Sequence, residues 1–145
     1  MREWSYVAFC TSRLRCPAMT NPVRPLVHTL VGWLSSGRFD LDDEKACQAQ
    51  IRQWLTDRLP AEIQPDLKPE HRLSTRDIPD FFILGVVIEV KMNKAREADA
   101  MRQLGRYAQH PEVTDLILLT NRAVRAPGSI NGKPLCVISL GRAWL

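Results

Sequence analysis

The chain lacks any pair of cysteines at zinc-site spacing. Cys10 and Cys16 have five residues between them, Cys47 and Cys136 stand far apart, and no matching Cys or His pair lies downstream. This argues against a zinc finger or ribbon, and the expectation is reduced thiols in a cytoplasmic protein. Long hydrophobic runs are missing too. The longest, near residues 26–34 and 81–88, are interrupted or too short to span a bilayer, which argues against a membrane protein. Internal repeats and low-complexity tracts are likewise lacking. Charge is not strongly of one sign: 20 Lys and Arg against 16 Asp and Glu leave +4, which suits a polyanionic partner without requiring one. At 145 residues the chain fits one domain with a core that needs no staples.

What the chain does have is concentrated in residues 76–93, RDIPDFFILGVVIEVKMN. Two short apolar runs, 81–84 and 86–88, meet at Gly85 and are rich in the β-branched and aromatic residues that strands favour. They predict a β-hairpin. With Leu84-Gly85 as the turn, Ile83 faces Val86, Phe82 faces Val87 and Asp80 faces Glu89. Facing carboxylates repel, so the pair calls for a cation, and a divalent metal is the natural candidate. Strand alternation puts Lys91 on the face of Glu89, with Ile88 and Val90 on the other. Asp77, three residues before Asp80, points away and is the weaker ligand candidate.

Pro79-Asp80, followed by Glu89-Val90-Lys91, resembles the signature of the PD-(D/E)xK, or restriction-endonuclease-like, nucleases. The run Arg102-Gln103-Leu104-Gly105-Arg106-Tyr107 is similar to the helix after the lysine strand in many small members of this group, several of them from phages. The resemblance implies a three-layer α/β/α fold with a central mixed sheet and an αβββαβ core over about residues 42–140. It implies that Asp80, Glu89, Lys91 and Gln103 are catalytic, with Tyr107 ordering Gln103. Mg²⁺, for which Mn²⁺ would substitute, would be held by Asp80, Glu89, the Val90 carbonyl and Glu44.

The remaining chain supports this frame. Residues 1–20 have no clear period, and Met19 is an alternative start to Met1, so residues 1–20 read as an extension to a domain over 21–145. Val23, Leu26, Val27, Leu30, Val31 and Leu34 predict a helix ending near Gly37, with His28 partly buried in it. Asp40 or Asp42 caps a second helix to about Leu59, with Ala46, Ile51, Trp54 and Leu55 on its apolar side. Glu44 in its first turn is either the extra acid of the metal site or a dipole-compensating charge, with Asp43 as fallback ligand. Residues 63–67 and 71–73 are expected to give the first strand or two between Pro60, Pro65 and Pro69. Residues 95–109 form a helix with Ala98, Met101, Leu104 and Ala108 on one side and Gln103 and Tyr107, at i and i+4, on another. Strands follow at 115–120 and 135–140, with turns at Pro127-Gly128 and Asn131-Gly132.

The expected function is a small Mg²⁺-dependent nuclease acting on DNA, and the resemblance implies hydrolysis of phosphodiesters to 5′-phosphate and 3′-hydroxyl ends. Lys94, Arg96, Arg102 and Arg106, with Tyr107, would contact the nucleic acid. The alternative is a non-catalytic nucleic-acid-binding or assembly subunit of the same fold. A chain this small does not surround DNA alone, so a homodimer or a protein partner supplying specificity is part of the expectation.

Overall fold

The computed structural model describes residues 24–92 and 97–140. The expected extension at 1–20, Lys94, Arg96 and the last five residues lie outside them. Among the described residues, no helix is long and apolar enough to cross a membrane.

Two helices come first. Helix α1 (Pro25–Ser36) has proline in its first turn, where a missing N–H costs nothing, and buries Val27, Leu30, Val31 and Leu34. His28 on this helix is exposed, not partly buried, because the buried stripe runs along the opposite side. Helix α2 (Glu44–Arg58) is capped by Asp43, whose carboxylate accepts from the Lys45 and Ala46 amides. Asp40, expected as a cap, sits three residues earlier and accepts the Asp42 and Asp43 amides, shaping the turn that presents the true cap. With the cap at 43, the buried stripe falls on Cys47, Ile51 and Leu55 at i, i+4, i+8, so Cys47 replaces Ala46.

The six-stranded sheet has the order β1-β2-β3-β4-β6-β5. The edge strand β1 (Lys68–Pro69) is two residues long, and β2 (Phe81–Ile83) pairs with it antiparallel. No strand forms at 63–67 or 71–73. Pro65 lies in a 3-10 turn at Gln64–Asp66, and prolines at 60 and 69 leave too few amide donors for a longer ladder. Strands β2 and β3 (Val86–Lys91) form the expected hairpin, with Phe81 opposite Ile88, Phe82 opposite Val87 and Ile83 opposite Val86. The turn residues Leu84 and Gly85 have φ of 47° and 90°, the left-handed pair that matches strand twist in a two-residue hairpin.

Helix α3 (Glu97–Ala108) connects β3 to its parallel neighbour β4 (Asp115–Thr120), in register from Val86 with Asp115 to Lys91 with Thr120. Strand β6 (Lys133–Ser139) lies parallel to β4, and β5 (Ser129–Ile130) folds back on it through the Asn131-Gly132 turn. The sheet is thus mixed. Alternation sorts its side chains: Val86, Ile88, Val90, Ile117, Leu119 and Ile138 pack with α1 and α2. Val87, Leu116, Leu118 and Leu135 pack instead with Leu104, Tyr107 and Ala108 of α3. The buried side of α3 is Ala100, Leu104, Tyr107 and Ala108 rather than the stripe expected through Ala98, which is exposed.

Candidate active site

The hairpin register brings Asp80 and Glu89 together one residue beyond the last paired position of β2. The Asp80 amide donates to Glu89 Oε2 at 3.2 Å, and the Val90 amide donates to Asp80 Oδ2 at 2.8 Å. Each strand therefore satisfies the other's carboxylate where the ladder ends. Lys91, two residues on and so on the same face, places Nζ 2.9 Å from Glu89 Oε1. Glu89 is 1% exposed, whereas the Lys91 side chain keeps 23% of its surface in solvent. A buried acid is thus joined to solvent through a half-buried cation.

Electrostatics match this crowding. Burial pushes the Asp80 carboxyl up, the Glu89 charge adds to it, and the Val90 amide and Lys91 counter only in part, leaving the group at about 7. Burial also raises the Glu89 carboxyl, against the charge and hydrogen bond of Lys91. Burial disfavours the Lys91 ammonium, but Glu89, with Asp80 and Glu44 behind it, outweighs that and holds it above its ordinary value. Lys91 is accordingly a cation at neutral pH. Two acids that resist ionising side by side form a space that a divalent cation would relieve.

The donor set fits such an ion. Hard cations take oxygen ligands, and Mg²⁺ commonly uses one or two carboxylates with water and phosphate completing its shell. Asp80 and Glu89 supply two. An extended residue points its N–H and C=O to the same side, so the Val90 carbonyl opens toward the space its amide shares with Asp80. Glu44, the expected further acid, lies near enough for its charge to raise both carboxyls. Its Oε2 accepts the Met92 amide at 3.2 Å, and among the described residues no three His, Cys, Asp or Glu side chains converge as a metal site. Asp43, the fallback, is committed to capping α2. The α2 residue that touches Asp80 is Gln48, whose amide nitrogen donates to Oδ1 at 3.0 Å. Its place one turn after Glu44 was the only sequence signal for it.

Helix α3 closes the α3-side face. Gln103 Nε2 donates to the Tyr107 hydroxyl at 2.6 Å, and that hydroxyl donates to the Ile78 carbonyl at 3.2 Å, two residues before Asp80. Burial raises the Tyr107 phenol, and the Glu89 charge raises it further, which keeps it neutral and a donor. Tyr107 is 1% exposed, so burial corrects its expected contact with nucleic acid: its role is to hold Gln103 and the chain entering Asp80. Arg106 has its Nε tied to Asp77 Oδ1 at 3.0 Å, and its side chain is partly exposed. Arg102 is well exposed and paired with Asp99.

Asp77 is not a ligand but an anchor. Its second oxygen lies 2.9 Å from His110 Nε2, and the hydrogen bond from His110, working against desolvation and aided by Arg106, holds its carboxyl below the ordinary range. The C-terminal turn of α3 is thereby fastened to the loop that delivers Asp80. No regularity in the sequence signalled this contact. Cys47, buried near Asp80, is raised to about 12 by burial and by Asp40, Glu44 and Asp80, so its thiol is neutral and inert.

Compared with known proteins, the chain matches no family model, no curated protein and no solved structure.

Proposed function

We propose that this chain is a metal-dependent nuclease of the PD-(D/E)xK, restriction-endonuclease-like kind, hydrolysing phosphodiester bonds in DNA. The observation that carries the reading is the Asp80–Glu89–Lys91 constellation: two carboxylates that each accept a backbone amide across the end of a hairpin, with a lysine 2.9 Å from one of them. Helices on both faces of a mixed sheet, and the Gln103–Tyr107 pair on the helix after the lysine strand, agree with a three-layer core of that type.

Asp80 and Glu89, with the Val90 carbonyl, would hold Mg²⁺ or Mn²⁺. When bound, the ion would offset the paired carboxylates and draw negative charge from the phosphate. Lys91, held protonated by Glu89, acts as a charged donor that orients the attacking water and meets charge growing on the phosphate oxygens. It does not begin as the base. Gln103, steadied by Tyr107, presents its amide to the substrate. Arg102 and the open part of Arg106, with Lys94 and Arg96, would follow the phosphate backbone. Products would carry 5′-phosphate and 3′-hydroxyl ends, and a homodimer or partner would complete the grip on DNA. A cytoplasmic setting, phage or prophage included, suits such an activity.

One observation favours a second reading, a non-catalytic nucleic-acid-binding or assembly subunit: no third acidic ligand joins Asp80 and Glu89 among the described residues. The test is cleavage of linear, circular, single-stranded and branched DNA with Mg²⁺ or Mn²⁺ by the native chain, Asp80→Asn and Lys91→Ala. Cutting that both substitutions abolish supports the nuclease. DNA binding without cutting on any substrate supports the second reading.

A further inference from the structure

The Asp80 carboxylate is gripped from two sides. Val90 binds Oδ2 from within the hairpin, and Gln48 binds Oδ1 from helix α2, 32 residues earlier in the chain. Gln48 stands one turn after Glu44, which accepts the Met92 amide just past the end of β3. One side of the first turns of α2 therefore reaches both strands of the hairpin at the end where Asp80 and Glu89 meet.

These contacts are not what holds the helix down. Helix α2 is packed through Cys47, Ile51 and Leu55, all of them fully buried, on a neighbouring stripe. The Gln48 amide is half-buried and directed at a carboxylate already bonded on its other oxygen. With both oxygens engaged from fixed backbone and helix positions, Asp80 is confined to one rotamer before any ligand arrives. Glutamine suits this task because it donates to the carboxylate without adding a third negative charge to the space shared by Asp80 and Glu89.

We propose that Gln48 is the α2 contribution to the metal site: a positioning residue that fixes Asp80 and so sets the affinity for a divalent cation. The inference rests on the reading of Asp80 and Glu89 as that site. Residues that orient a metal-binding side chain without touching the ion commonly account for 10–100-fold in affinity.

The experiment is calorimetric titration of Mn²⁺ into the full chain at pH 8, for the native protein, Gln48→Ala and Gln48→Glu, with unfolding temperatures in EDTA beside it. Gln48→Ala is expected to bind Mn²⁺ about 10–100-fold more weakly while unfolding within a few degrees of native. Gln48→Glu removes the donor and sets a carboxylate against Asp80, and is expected to unfold at a lower temperature than native in EDTA. A merely structural glutamine would lower the unfolding temperature of Gln48→Ala in EDTA and leave its affinity for Mn²⁺ native. Native affinity in Gln48→Ala, or a Gln48→Glu variant as stable as native in EDTA, overturns the role of Gln48 alone. A native chain that takes up no Mn²⁺ removes the metal site itself, and this role with it.

Discussion

Replacing Asp80 by Asn should make the metal-free protein more stable at neutral pH while destroying its activity. Asp80 has its carboxyl raised from 3.8 to about 7 by burial and by the Glu89 charge. A carboxyl that binds its proton more tightly when folded favours the folded state below the unfolded value near 4, and that contribution is lost as pH climbs toward 7. The shift of roughly three pH units, at about 1.4 kcal/mol each, sets a ceiling of about 4 kcal/mol. Because Glu89 titrates with Asp80, the effect belongs to the pair, and on the order of 2–4 kcal/mol is expected. Asparagine keeps the geometry: its oxygen accepts the Val90 amide, and its amide meets Gln48 once that side chain turns over.

The assay is thermal unfolding in EDTA from pH 4.5 to 8.5. The native melting temperature should fall by roughly 5–15 °C over that range, and Asp80→Asn should be flatter and higher at pH 8. Added Mg²⁺ should restore the native protein at pH 8 and leave the variant unmoved. A native profile level from pH 5 to 8, or a variant less stable than native at pH 8 without metal, would refute the idea that these acids are crowded.

Other substitutions probe the supports. Asp77→Asn weakens the tie to Arg106 and His110 and should cost about 1–3 kcal/mol in urea unfolding at pH 7. Because the Asp77 carboxyl is depressed, native stability from this group is present above the usual carboxylate range and lost as pH falls below it. The variant should lack that acid-side loss. Tyr107→Phe leaves Gln103 and the Ile78 carbonyl without their shared partner. It should cost about 1–2 kcal/mol and lower cleavage about ten-fold with Mn²⁺ affinity unchanged, a separation that parallel titration and kinetics would read. Gly85→Ala forces a side chain into φ of +90° with its Cβ 2.7 Å from Thr114 Oγ1, and should cost about 1–3 kcal/mol by denaturant titration.

The hairpin and its charged face were legible in the sequence because two independent constraints agreed. Leu84-Gly85 fixed the turn, and the apolar pattern fixed which face Val86, Ile88 and Val90 must bury. The facing of Asp80 and Glu89 followed from register alone. Helix α2 was harder, because Asp40, Asp42 and Asp43 all carry the chemistry of a cap, and only backbone geometry selects the last. That selection rotates the helix, buries Cys47 and turns Gln48 toward Asp80 in place of Glu44. The segment around residues 60–70 misled for a different reason: its hydrophobic residues suggested strands, but three prolines leave too few donors for pairing. Asp77, Arg106 and His110 meet only because α3 crosses back over the sheet, a contact with no local trace in the chain. The same crossing buries Tyr107, which helical spacing alone had placed on a polar side.

The proposed hydrolysis depends on Lys91 as the charged donor beside a cation that Asp80 and Glu89 would hold. Its most direct test is the rate of Mn²⁺- or Mg²⁺-dependent hydrolysis of one end-labelled DNA by the native chain and by Lys91→Ala, at metal concentrations that saturate each. The native protein should release fragments with 5′-phosphate ends, and Lys91→Ala should be slower by at least about 100-fold, as for removal of a donor to the developing charge. Equal rates in the two proteins, or no hydrolysis of any DNA by the native chain with metal bound, would contradict it.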